Sequence, residues 1–111
     1  MIPPPFDYVV PKTLSEALAA LGGNENAKIL AGGQSLIPLM RFRLAAPAVL
    51  VDINRIEGLS YIQEEKGWLK IGSMTRQSTV DKSALIREKY SLLADTVSVL
   101  SDPIVRNRGT V

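Results

Sequence analysis

Eight consecutive residues, Ile29-Leu30-Ala31-Gly32-Gly33-Gln34-Ser35-Leu36, have the types and spacing that could hold a ligand. An apolar run with strand character enters two glycines and leaves through a serine. Glycines permit positive φ and a close approach of backbone to a bound group. Successive free N–H groups in such a turn form an anion nest, reinforced where a helix begins just beyond it. These are the requirements of a diphosphate cradle, and they point to a nucleotide cofactor. The same residues also suit a tight strand-to-helix turn that binds nothing. The segment is not a P-loop, because no Gly-Lys-Ser/Thr follows, and it lacks the G-x-G-x-x-G dinucleotide fingerprint.

A second group of polar residues closes the chain: Arg106, Asn107, Arg108, Gly109 and Thr110, ahead of Val111. Two arginines and a glycine before a threonine could serve an anion. Equally, Asn107 and Gly109 could simply set the backbone of a solvated turn. In Gly72-Ser73-Met74-Thr75 the glycine allows a sharp turn after a strand and Thr75 is a candidate cap for the next helix. Asp52, Asp81 and Asp102 are too far apart in sequence to suggest an acid–base pair, and Trp68 reads as core or edge packing.

Composition narrows the chemistry further. The 111 residues contain no cysteine and no histidine, which removes disulfides, thiolate nucleophiles, Cys/His zinc sites, iron–sulfur ligation and His-based triads. Redox work would need a bound organic cofactor. The net charge of +2 is spread over interleaved acids and bases, with no basic stripe to recommend nucleic acid. No apolar run approaches the ~20 residues of a membrane span. The Met1-Ile2-Pro3-Pro4-Pro5 start lacks the features of a signal peptide, so the expectation is a cytoplasmic protein.

The elements that must position these residues follow from periodicity. Phe6–Val10 reads as a short strand ended by Pro11. Thr13 and Glu16 form a capping box for a helix whose apolar face is Leu14, Ala17, Leu18 and Leu21, closed by Gly22-Gly23. Lys28–Ala31 and Ala48–Asp52 read as buried strands flanking a short Ser35–Arg43 helix, with Pro38 tolerated in its first turn. That alternation suggests a small α/β unit. A border near residues 54–58 precedes a hairpin of Leu59–Gln63 and Trp68–Gly72 turning through Glu64-Glu65-Lys66-Gly67. Helical turns are expected over Thr75–Lys82 and Ala84–Lys89, the latter capped by Ser83. A helix face of Leu92, Leu93, Thr96, Val97 and Leu100 ends at Asp102-Pro103, and Pro103–Val111 reads as a polar segment.

Taken in order, these landmarks resemble the FAD-binding (medium) subunit of molybdenum hydroxylases, of the carbon monoxide dehydrogenase and xanthine dehydrogenase type. The resemblance runs through Phe6-Asp7-Tyr8 with Pro11, Ser15-Glu16-Ala17, Ala31-Gly32-Gly33-Gln34-Ser35-Leu36 with Pro38-Leu39-Met40, Leu50-Val51-Asp52-Ile53, Ile71-Gly72-Ser73-Met74-Thr75, and the Arg106–Val111 tail. It implies an α+β chain with an α/β-like first lobe, in the vanillyl-alcohol oxidase or PCMH-type FAD-binding fold. Residues 1–56 would form the first lobe and 57–111 part of an incomplete second lobe.

The resemblance implies FAD as cofactor, with main-chain amides of Ala31, Gly32, Gly33, Gln34 and Ser35 on its diphosphate and Leu36 packed beside it. Gly109 and Thr110 would belong to a second flavin loop, braced by Arg106 and Asn107. It also implies a molybdenum-cofactor large subunit and a small subunit with [2Fe-2S] clusters as partners. Electrons would pass from the clusters through FAD to an external acceptor. In the family the tail continues Gly-Gly-Asn and members are over twice this length, so the chain reads as an N-terminal fragment, inactive alone and with weak or no stable FAD binding of its own. Two rival expectations are a non-catalytic interaction or folding fragment without flavin, and a domain that binds another nucleotide at Gly32-Gly33.

Overall fold

Residues Met1–Glu57 build a three-stranded parallel sheet with two helices, one of two units in the computed structural model, which describes all of residues 1–111. Strand β1 (Asp7–Val9) leads to helix α1 (Leu14–Gly22), then β2 (Ala27–Leu30), helix α2 (Leu36–Arg41) and β3 (Val49–Asp52). The strand order is β1-β3-β2, so the last strand inserts between the other two. Tyr8 pairs with Leu50 and Val9 with Val51 on one side; Ile29 pairs with Val51 on the other. The central position explains why Leu50 and Val51 are buried while β1 is exposed along its length. It also corrects the expectation of a buried strand over Lys28–Ala31. As β2 lies at the sheet edge, Lys28 and Ile29 are exposed.

Helix α1 starts as its capping box requires. The Glu16 N–H donates to Thr13 Oγ1 at 3.2 Å, and the Glu16 carboxylate accepts from the Lys12 N–H at 2.9 Å, one residue upstream of the cap itself. The helix packs on β2 and β3 through its buried Ala17. The predicted apolar face is only partly covered: Leu14 and Leu18 remain 56 % and 61 % exposed. Pro38 falls in the first turn of α2, where its missing N–H has no helical acceptor to lose.

The second unit, Gly58–Val111, opens with a hairpin of β4 (Ile62–Glu65) and β5 (Trp68–Ile71). The turn is two residues, not four. Lys66 (φ 51°) and Gly67 (φ 81°) both lie in the left-handed region, as a type I′ turn demands, and this draws Glu64 and Glu65 into the strand. The register pairs Ile62 with Ile71 and Glu65 with Trp68. Ile62, Leu69 and Ile71 therefore face the core of Val80, Ile86 and Val97. Trp68 falls on the opposite face and is 72 % exposed, not packed as expected.

Four helices complete the unit: α3 (Gln77–Asp81), α4 (Ala84–Lys89), α5 (Ser91–Ser98) and α6 (Pro103–Arg108). Ser83 caps α4 as predicted, accepting from the Ile86 N–H. Within α5 Val97 is buried and Leu93 and Ala94 pack against the same core, whereas Leu92 points to solvent. Asp102-Pro103 does not end α5. That helix stops at Ser98, the chain reverses at Ser101 (φ 51°), and Asp102 caps a new helix with proline in its first turn. The polar segment expected over Pro103–Val111 is thus mostly helical, and the Asp-Pro pair was its start signal.

Thr75 is not a helix cap either. It is fully buried, and its hydroxyl donates to the Tyr61 carbonyl and accepts from the Tyr61 N–H, both at 3.0 Å. Gly72 sits beside the same segment, where an added Cβ would lie 2.3 Å from the Leu59 carbonyl oxygen. These contacts lock the Leu59–Tyr61 approach to the hairpin onto its exit.

Two outcomes follow. Thr75→Val keeps the shape but strips the Tyr61 N–H of its acceptor, and should destabilise the unit by about 1–3 kcal/mol, read from the denaturant midpoint. At the rim, Glu64 accepts from the Tyr90 hydroxyl (2.7 Å) and from Lys89 (3.0 Å), and these hold its carboxyl below the ordinary range. A depressed carboxylate stabilises the fold above its unfolded pKa and loses that contribution as pH falls through the folded value. The melting-temperature advantage of the native chain over Glu64→Gln should therefore be full at neutral pH and vanish on acidification through the carboxylate range.

Candidate functional site

The glycine turn leaves the sheet just after the Ile53 N–H donates to the Leu30 carbonyl at 3.1 Å. Gly33 takes φ +82°, a conformation that residues with a side chain rarely adopt, so the dihedral calls for glycine; an added Cβ would meet only the movable end of Ile37, at 2.7 Å from Cδ1. Backbone bonding resumes only at Ile37, whose N–H donates to the Gly33 carbonyl at 3.0 Å. No backbone carbonyl accepts from the amides of Gly32, Gly33, Gln34, Ser35 or Leu36. Ser35 stands at the start of α2, yet its hydroxyl makes no capping bond to the helix. Gln34 and Ser35 are exposed; Ala31, Gly32, Gly33 and Leu36 are half-buried. A cavity of about 310 Å³ adjoins the turn, lined by Gln34, Ile37, Pro38, Arg41, Phe42 and Met1.

A hydrogen-bonded cluster behind the turn was not anticipated. The Asn54 side-chain amide donates to the Ala31 carbonyl at 2.9 Å and to Asp52 Oδ1 at 2.6 Å. The Asn54 N–H also donates to Asp52 Oδ1, at 2.9 Å, in an Asx turn. The other oxygen, Asp52 Oδ2, accepts from the Tyr8 hydroxyl. That bond to a carboxylate raises the Tyr8 pKa above its ordinary value. The local signal was present in Asp52-Ile53-Asn54, an Asx-turn spacing at the end of a strand. The partners Ala31 and Tyr8, 23 and 44 residues away, carried none.

In the second unit the tail is pinned to the start of α3. Arg76 donates to the Arg108 carbonyl (2.8 Å), the Gln77 N–H to the Gly109 carbonyl (2.9 Å), and Gln77 Nε2 to the Thr110 carbonyl (3.3 Å). Thr110 forms a single antiparallel bridge with Arg76, and the Val111 N–H donates to Thr75. Gly109 is buried, and a Cβ on it would lie 2.9 Å from Gln77 Oε1, a buried atom with no hydrogen-bond partner. Arg106 turns back to the Leu100 and Ser101 carbonyls and approaches Asp81, so it braces the α5–α6 turn; Asn107 is exposed. The structure thus gathers Ala31–Leu36 within the first unit and Gly109 and Thr110 within the second.

A turn whose amides lack backbone acceptors, at the carboxyl ends of a parallel sheet, has the geometry to receive an anionic group such as a phosphate. Residues 4–111 match the family of the FAD binding domain in molybdopterin dehydrogenase, and the chain belongs to that family. The carbon monoxide dehydrogenase medium chain of Hydrogenophaga pseudoflava is 46% identical over 112 residues, covering all of this chain and 39% of the relative. Subunit alpha of the 6-hydroxypseudooxynicotine dehydrogenase complex of Paenarthrobacter nicotinovorans is 43% identical over 112 residues, covering all of this chain and 38% of the relative. Among solved structures, the Hydrogenophaga pseudoflava carbon monoxide dehydrogenase lacking the Mo-pyranopterin moiety superposes with a TM-score of 0.95 at 47% identity. It covers 99% of this chain and 39% of that one. The chain therefore spans about two-fifths of the length of the relatives it matches.

The turn fits the family's cofactor on its own geometry. Amides without backbone acceptors and a serine hydroxyl free of capping suit a diphosphate, and Gly33 supplies the positive φ on which the turn depends. Gly33→Val, placing a β-branched residue at positive φ, should abolish FAD uptake by the full-length protein while its far-UV circular dichroism stays native. Flavin titration followed by fluorescence quenching measures the loss.

Proposed function

We propose that this chain forms part of the FAD site in the medium subunit of a molybdenum-containing hydroxylase or dehydrogenase. The observation that carries the reading is the Ala31–Leu36 turn, whose amides lack backbone acceptors and whose Gly33 holds a positive φ that favours glycine, within a chain of the FAD-binding family. Residues 1–56 and 57–111 are assigned to the first and second lobes of a PCMH-type fold. The amides of Ala31, Gly32, Gly33, Gln34 and Ser35 bind the diphosphate, Leu36 packs beside the cofactor, and Gly109 and Thr110 contribute from the second loop.

Bound FAD would supply the redox chemistry, taking electrons from [2Fe-2S] clusters on a partner subunit and yielding them to an external acceptor. The chain's own residues bind and orient; none acts as a covalent catalyst. Ser35 adds a hydroxyl donor, and the amides offer fixed partial positive charge without a counter-cation that would have to be desolvated. Substrate chemistry is assigned to a molybdenum-cofactor subunit. Two relatives of nearly equal identity, 46% and 43%, carry names with unrelated substrates, which supports placing substrate selection outside this chain. No helix is long and apolar enough to cross a membrane, and a cytoplasmic location is proposed.

The full-length protein, purified and dialysed extensively, should retain FAD, identified by its visible absorbance and by release of the intact dinucleotide on denaturation. Absence of flavin, with no uptake on titration, would overturn the assignment. Tight binding of another nucleotide in its place would support the rival reading of the Gly32-Gly33 turn.

A further inference from the structure

We infer that Asn54, held by Asp52, is a positioning residue for the cofactor diphosphate, fixing the Ala31–Gly32 peptide so that the Gly32 N–H is presented to the phosphate oxygens. This deepens the proposed FAD site and rests on that reading. In a trans peptide the carbonyl and the following N–H point in opposite directions, and this chain has no cis bond. Asn54 Nδ2 grips the Ala31 carbonyl at 2.9 Å, so the Gly32 N–H faces away from Asn54. No backbone carbonyl accepts from that N–H.

A clamp is needed at this place because the peptide precedes a glycine. Rotation of a peptide plane beside a residue without Cβ meets little steric resistance. The rotated peptide would turn the Ala31 carbonyl, a negative dipole end, toward a dianionic diphosphate and withdraw the donor. Asn54 can resist this only if its own amide is fixed, and Asp52 fixes it: Oδ1 accepts both Nδ2 at 2.6 Å and the Asn54 N–H at 2.9 Å. Tyr8, donating to Oδ2, holds the carboxylate from the β1 side. One side-chain amide thus spends its two hydrogens on orienting a peptide and on anchoring itself.

The test uses the full-length protein with Asn54→Leu, which keeps the branched shape and removes both donors. Asn54→Asp is the second variant, isosteric with the native residue, should leucine fail to fold. FAD affinity is read by fluorescence quenching and the diphosphate environment by the 31P resonances of bound FAD. The expected result is a Kd raised about tenfold or more, the scale of one hydrogen bond to a charged group, together with shifted 31P resonances and an unchanged flavin absorbance spectrum. Affinity within twofold of the native protein would overturn the inference. So would weaker binding with native 31P positions, which would mark Asn54 as merely structural. If the native protein itself takes up no FAD, the proposed site fails, and that outcome is separate from any behaviour of the variants.

Discussion

A parallel sheet delivers its loops at the carboxyl ends of its strands, where no ladder remains to hold them, and ligands gather there for that reason. In the first unit this problem is met by one carboxylate. Asp52 ends the central strand, receives the Tyr8 hydroxyl from β1 and the side-chain amide of Asn54, and through Asn54 reaches the Ala31 carbonyl at the exit of β2. All three strands are thereby tied, directly or through Asn54, to one carboxylate. The glycine turn can therefore leave its amides unbonded without becoming a slack loop.

The second unit solves a similar problem with different atoms. Its tail lies against Arg76 and Gln77 through a guanidinium, a backbone amide and a side-chain amide, and a single bridge replaces a sheet ladder. Buried Thr75 and side-chain-free Gly72 draw the hairpin entry close to its exit, so the base for this tail is itself fixed. In both units the segments assigned to the cofactor are short, irregular and held by side chains from distant parts of the sequence. The regular elements supply only the frame.

That division explains what could be read from the sequence. The capping box at Thr13 and Glu16, the central strand through Leu50 and Val51, and the Ser83 cap are local signals, and each appears in the structure. The glycine turn was legible because glycine itself encodes the positive φ at residue 33. Edge position was not legible: Ile29 looks apolar in sequence and becomes exposed because β3, nearly twenty residues later, takes the central place. The hairpin turn was displaced because Lys66, a residue with no turn preference of its own, shares the left-handed conformation with Gly67. The bond from Asn54 to Ala31 and those from Arg76 and Gln77 to the tail were missed because these partners lie 23 to 33 residues away, where periodicity carries no information.

The outward face of the hairpin gives the molecule a built-in optical label. Trp68 is the sole tryptophan, and it stands in the strand opposite Glu65, on the side away from the Val80, Ile86 and Val97 core. Its indole emission is set by water and by whatever docks on that strand surface, and hardly at all by core packing. A blue shift of that emission on mixing with another subunit would report coverage of the hairpin directly, without an added dye.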